Sequence, residues 1–181
     1  MRFLILVILF FVLGCTYRTR STVTSLDLSN QKLSAIPDSV FSLSKLENLK
    51  LGNNFTIYPP LSEIGDYSES VPGIGMNKIT VIPKAIGQLH NLRTLALSFI
   101  DLRSLPTELL QLKQLDTLDI SFNERLNIAS ELGILSKMTW LKYLNIVPIK
   151  FDQTSIEALR KSLPNTRIDA KVEDLPFEDE Q

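Results

Sequence analysis

Four kinds of residue in this chain could carry chemistry, and their spacing decides whether they do. A single histidine, His90, stands beside Asn91 as a potential general base, but no serine or cysteine triad can be built around it. Gly73-Ile-Gly75 has the look of a phosphate cradle, yet it lacks the third glycine and a following helix of suitable length. The carboxylates Asp27, Asp116 and Asp119 fall at outward places of a repeating pattern, with Asp27 and Asp119 four units apart, so they assemble no acid/base pair. Cys15 is the only cysteine, which removes any disulfide framework or cysteine-rich metal site. The formal charge of -1 marks no polyanion-binding surface. A non-enzymatic chain is expected, with no cofactor, no metal and no nucleic-acid partner.

What must position these residues is a frame of 23 residues, kept by Gln31, Asn54, Asn77, Ile100 and Asn123. Three residues before each anchor stands an aliphatic side chain (Leu28, Leu51, Ile74, Leu97, Ile120), and two further back come Leu26, Leu49, Pro72, Leu95 and Leu118. Six residues past the anchor comes Pro37, Pro60, Pro83 or Pro106, with Ala129 in the fifth unit. Alternation such as Leu95-Ala96-Leu97 is the period of a strand with one buried face. One strand of that length is not stable alone in water. Stacked copies form a parallel sheet and share one core, so stability accrues from neighbour contacts. The anchor asparagine then has a physical reason, because an inward amide meets backbone groups that would each cost about 1 to 3 kcal/mol if buried unmet. A proline suits the first position of a short helical return. The apolar residues after it (Val40 and Leu43, Ile86 and Leu89, Leu109 and Leu112) keep the three-residue spacing of one buried stripe.

Leu46-Glu-Asn-Leu49-Lys-Leu51-Gly-Asn-Asn54, Leu92-Arg-Thr-Leu95-Ala-Leu97 and Leu115-Asp-Thr-Leu118-Asp-Ile120-Ser-Phe-Asn123 resemble the unit of the leucine-rich-repeat family. The resemblance covers residues 23–149 as about five 23-residue units plus a sixth strand. It implies an α/β repeat solenoid, a short arc with a parallel β-sheet on its concave face and short helical or irregular turns on its convex face. Two units depart from the pattern. Ile100 replaces the ladder asparagine, so that level must satisfy its turn differently or use water. The third unit has Glu69 and Pro72 where leucines are expected, and Pro59, Pro60, Gly65, Gly73 and Gly75 crowd the same stretch. It is expected to bulge or pair poorly, either as a decayed repeat held by its neighbours, the reading favoured here, or as a protruding binding loop.

The N-terminus addresses the compartment. The apolar run Phe3 to Leu13 is shorter than the roughly 20 residues of a membrane-spanning helix and suits a signal peptide over residues 1–14. Its end, Val12-Leu13-Gly14-Cys15, resembles the lipobox of bacterial lipoproteins, although Val12 and Leu13 depart from the preferred residues. The resemblance implies cleavage before Cys15 and attachment there of an acyl lipid of the palmitate class. Residues 15–22 would form a lipidated polar tether, and the expected location is the bacterial cell envelope, at the outer membrane or cell surface.

At the other end a sixth strand, Leu141-Lys-Tyr-Leu144-Asn-Ile146, arrives three residues late, with Ile149 in the anchor place. Residues 150–170 read as a cap. Thr154-Ser-Ile-Glu157 has the form of a capping box, Ile156, Leu159 and Leu163 share a helical face, and Ile168 suits a last strand. Residues 171–181, with Glu173, Asp174, Glu178, Asp179 and Glu180 against Lys171, read as a solvated acidic tail. Trp140 reads as cap packing.

Partner recognition is left to the exposed sheet face and the strand exits. The candidate contacts on the face are Asp27, Asn48, Lys50, Thr94, Thr117, Asp119, Tyr143 and Asn145, and those at the exits are Met76, Phe99 and Phe122. Aromatic residues are the usual anchors of such surfaces. Phe99 and Phe122 have a competing use, packing on the adjacent turn. The leading reading is a membrane-anchored binding module for a protein, with a glycan as the weaker option. The alternative is an envelope structural or assembly protein that self-associates through its repeats.

Overall fold

The computed structural model describes residues 22–53, 76–147, 149 and 152–170. Six strands form one parallel sheet in chain order: β1 (Ser25–Asp27), β2 (Asn48–Lys50), β3 (Thr94–Ala96), β4 (Thr117–Asp119), β5 (Tyr143–Asn145) and β6 (Arg167–Asp169). This is the leucine-rich-repeat arc that the spacing predicts. Leu26, Leu49, Leu95, Leu118, Leu144 and Ile168 lie in one register across it. From Leu49 to Leu144 these residues are at most 1% exposed, while Leu26, on the open edge, is only half-buried.

The returns are short 3-10 turns at Asp38–Ser42, Lys84–Gln88 and Thr107–Gln111. The prolines sit one position earlier than the spacing suggests. Pro37, Pro83 and Pro106 are the residues before each turn, in extended conformation, and their carbonyls accept from Val40, Ile86 and Leu109 N–H. Fixed φ serves that place well, and no donor is lost from the turn itself. The longer fifth return becomes helix α1 (Ile128–Leu135), capped by the Asn127 side chain on Ala129 N–H. Helix α2 (Gln153–Ser162) follows β5 and leads into β6. Its N-cap is Asp152, accepting from Ser155 N–H at 2.8 Å and from the Ser155 hydroxyl at 2.6 Å. The Thr154–Glu157 box is therefore not the cap: an aspartate two residues upstream takes the free donors first. Trp140 packs against the core, with Lys113 Nζ 3.7 Å from its ring centroid.

The third unit differs most from expectation. β2 pairs directly with β3, Leu49 beside Leu95. Residues 54–75 of the third unit lie outside the described residues, and the return at Lys84–Gln88 packs between its neighbours as the return of β2. The composition gives the reason. In the 23-residue frame Glu63, Asp66 and Glu69 correspond to Ile86, Leu89 and Leu92 of the next unit. Those three residues are fully buried. Three unpaired carboxylates in that stripe would carry a prohibitive desolvation cost.

Candidate functional site

Two rows of side chains project from the sheet face. One runs Ser25, Asn48, Thr94, Thr117, Tyr143 and Arg167; the other runs Asp27, Lys50, Ala96, Asp119, Asn145 and Asp169. The structure thus gathers the eight predicted face residues on one surface. It also gives several of them local work. Asp27, Asp119 and Asn145 each accept from the backbone N–H two residues on, at Ser29 (2.9 Å), Ser121 (3.0 Å) and Val147 (3.2 Å). Asp27 also meets Lys50 at 3.8 Å. Burial pushes the Asp119 carboxyl up despite its hydrogen bonds to Ser121.

At the C-terminal end of the face, Tyr143 Oη donates to Asp169 at 2.7 Å, and Arg167 Nε donates to the other carboxylate oxygen at 3.0 Å. Asp169 is 2% exposed, which makes this a buried polar pair held by two donors. Desolvation, then the bond to Asp169 and its charge, raise the Tyr143 hydroxyl well above its usual range. Asp169 is a residue that sequence reasoning missed. It lies in a strand read only as a cap, and nothing local marked its carboxylate as reaching back to Tyr143.

The strand exits carry a second set of features. Asn123, fully buried, accepts from Ile100 N–H and Leu102 N–H and donates to the carbonyls of Leu97 and Ile120. One amide therefore closes its own turn and the turn before it. Asn77 does the same two levels earlier in the stack, accepting from Gln31 and Leu33 N–H and donating to the carbonyls of Leu28 and Leu51. Asn77, and not Asn54, is the ladder residue that goes with β2. Ile100 brings no amide for the backbone of Asn77, and Asn53 supplies it. The Asn53 side chain accepts from Asn77 N–H at 2.7 Å and donates to the carbonyls of Asn77 and Phe99. Neighbouring amides thus take over the missing ladder position. Gly52 permits this closeness, since a Cβ there would meet the backbone of Ser98 at 2.8 Å and 2.9 Å.

Directly before Ile100 and Asn123 stand Phe99 and Phe122, with φ of 58° and 56°. That left-handed conformation suits glycine or asparagine, such as Asn30 at the same place in the first unit, and costs a bulky residue about 1 to 3 kcal/mol. The rings meet edge to face, centroids 6.3 Å apart, yet Phe122 remains 43% exposed. Phe99 and Phe122 thus pack on each other across adjacent strand exits, and part of the Phe122 ring stays in solvent. Arg125, three residues past Phe122, and Asp101, two past Phe99, form an ion pair of 3.1 Å. Met76 is half-buried beside Asn77.

Cys15, the signal segment, the tether and the acidic tail lie outside the described residues. His90 is exposed, and among the described residues no cluster of His, Cys, Asp or Glu could hold a metal ion. No described helix is long and apolar enough to cross a membrane.

No family model matches the chain, nor does any curated protein. Among solved structures, a leucine-rich-repeat protein of Leptospira interrogans is similar at 24% identity, covering 84% of this chain and 55% of its own, with a TM-score of 0.43. An internalin of Listeria monocytogenes is similar at 21% identity over 76% of this chain and 38% of its own, with a TM-score of 0.43. Internalin C2 of the same organism is similar at 20% identity over 81% and 70%, with a TM-score of 0.34. The chain spans about half the length of the first of these and less of the second.

Proposed function

We propose that this leucine-rich-repeat chain is a membrane-anchored, non-enzymatic protein-binding module of a bacterial cell envelope, held by lipid at Cys15. The observation that carries the binding reading is the pair Phe99 and Phe122, aromatic side chains kept at strained positions with Phe122 exposed. Strain of this kind persists where the surroundings enforce it, and it often marks a contact surface. An exposed aromatic anchor beside a polar face is the arrangement that binding hot spots favour. In this reading the exits supply the affinity, and the face row of Asn48, Thr94, Thr117 and Tyr143 supplies complementarity. A protein ligand is preferred to a glycan.

The test has two arms. Full chain used as bait against envelope fractions and host extracellular material should capture a saturable protein partner, and Phe122→Ala should weaken that capture at least about tenfold while the unfolding midpoint stays nearly constant. Finding no saturable partner, or a partner indifferent to Phe122, would sink the binding reading. Separately, Cys15→Ala should abolish lipid labelling and membrane fractionation; retention of both would remove the anchor and leave the binding reading standing.

A further inference from the structure

We propose that two copies of this chain join edge to edge through β1, each strand pairing antiparallel with its counterpart across a two-fold axis at Leu26. The inference concerns a second copy of the chain and does not rest on the binding reading above.

The two ends of the sheet are finished differently. At the far end Ile168, Asp169 and Ala170 are 8%, 2% and 3% exposed. At the near end Leu26, Leu28 and Leu33 are only half-buried, and Val23 is 38% exposed. Their equivalents one level in, Leu49, Leu51 and Ile79, are at most 1% exposed. A terminal repeat left in this state needs a cover. The backbone specifies which cover fits. Thr24 carbonyl accepts from Glu47 and Asn48 N–H, and Leu28 N–H donates to Lys50, so the even-numbered residues face β2. By strand alternation the N–H and C=O groups of Ser25 and Asp27 point away from the sheet.

Antiparallel pairing about Leu26 sets Ser25 of each copy opposite Asp27 of the other, which uses both outward residues in hydrogen-bonded pairs. Charge selects this register. Sliding the strands so that Asp27 faces itself would oppose two carboxylates, whereas the register about Leu26 opposes each to a serine hydroxyl. The same pairing brings the half-buried leucines of the two end layers together, and it closes after two copies because the interface is isologous.

The experiment uses the full chain in detergent. The expected result is a dimer by light scattering and sedimentation, with Ser25→Pro raising its dissociation constant about tenfold, since it removes an outward donor from each copy and none that faces β2. In a Cys15→Ser chain, the pair Ser25→Cys and Asp27→Cys together should link two copies under mild oxidation. Opposed Cα atoms in such a pair stand about 5.5 Å apart, within disulfide reach. Neither single variant should link. The cysteine pair leaves the edge backbone intact, so it reports even if the proline variant folds poorly. A monomer at all concentrations, or a dimer with no cross-link in the paired variant, overturns the proposal. So does slow amide exchange at Ser25 and Asp27 in a monomer, which would assign the edge to the residues before Thr22.

Discussion

The turn out of the strand is closed by one residue in the second half of the sheet and by two in the first. At Asn123 a single buried amide serves Ile100, Leu102, Leu97 and Ile120. Around Asn53 the same duties are divided: Asn77 serves the first level and β2, and Asn53 serves Asn77 and Phe99. The difference teaches that the repeat conserves a requirement more than a residue. Buried N–H and C=O groups must be met, and an amide from an adjacent position can meet them. That is how β2 can stand directly against β3, and how Ile100 can be an isoleucine.

Several variants would break or sharpen the contrast. The largest effect is expected for Asn123→Leu, which strands several fully buried backbone groups and should cost at least about 3 kcal/mol in urea unfolding. Asn77→Leu should cost less, because part of its ladder faces the open first level, where water can replace it; equal losses would remove the distinction between the halves. Asn53→Ala should cost about 2 kcal/mol, and combined with Ile100→Asn it should lose less than alone, since the restored amide can serve Asn77. Additive effects would refute the division of labour. Excision of residues 54–76 joins Asn53 to Asn77 and preserves the three-residue step from Leu51 to the ladder asparagine. That chain should fold and gain up to about 2 kcal/mol, because the ends at Asn53 and Asn77 no longer have to be brought together; failure to fold would mean that residues 54–76 are needed for the stack.

The smallest effect concerns Glu131 in α1, 6% exposed, whose carboxylate accepts from Leu105 N–H at 3.0 Å. Desolvation holds its folded-state pKa above the ordinary value, with the Leu105 bond opposing the shift. The ionised group therefore costs the folded state stability above that pKa, and the cost vanishes as pH falls through it. Glu131→Gln keeps an oxygen for Leu105 and should flatten this part of the rise in unfolding midpoint between neutral pH and the carboxylate range. An unchanged slope would show that Asp119, shifted in the same direction, carries the effect.

Much of the architecture could be read from the chain. The leucine alternation gave the strands their buried side, and the placing of Ile156, Leu159 and Leu163 on one face gave the cap helix. The face residues were legible for the same reason, since outward places are whatever the inward frame leaves over. The direct pairing of β2 with β3 also had a signal there, Glu63, Asp66 and Glu69 at stripe positions, but the unbroken spacing of Asn54 and Asn77 disguised it. Spacing alone does not say which units pair as neighbours; burial energetics does.

The sequence by itself determined which side chains form the core, because strand period and repeat length follow from local patterning. Only the tertiary structure decided which asparagine fills each ladder place, which phenylalanine stays in water and which carboxylate Tyr143 reaches. Those choices depend on which levels become neighbours. Once β2 lies against β3, Asn53 and Phe99 are brought together across 46 residues of chain, a contact that no local pattern specifies.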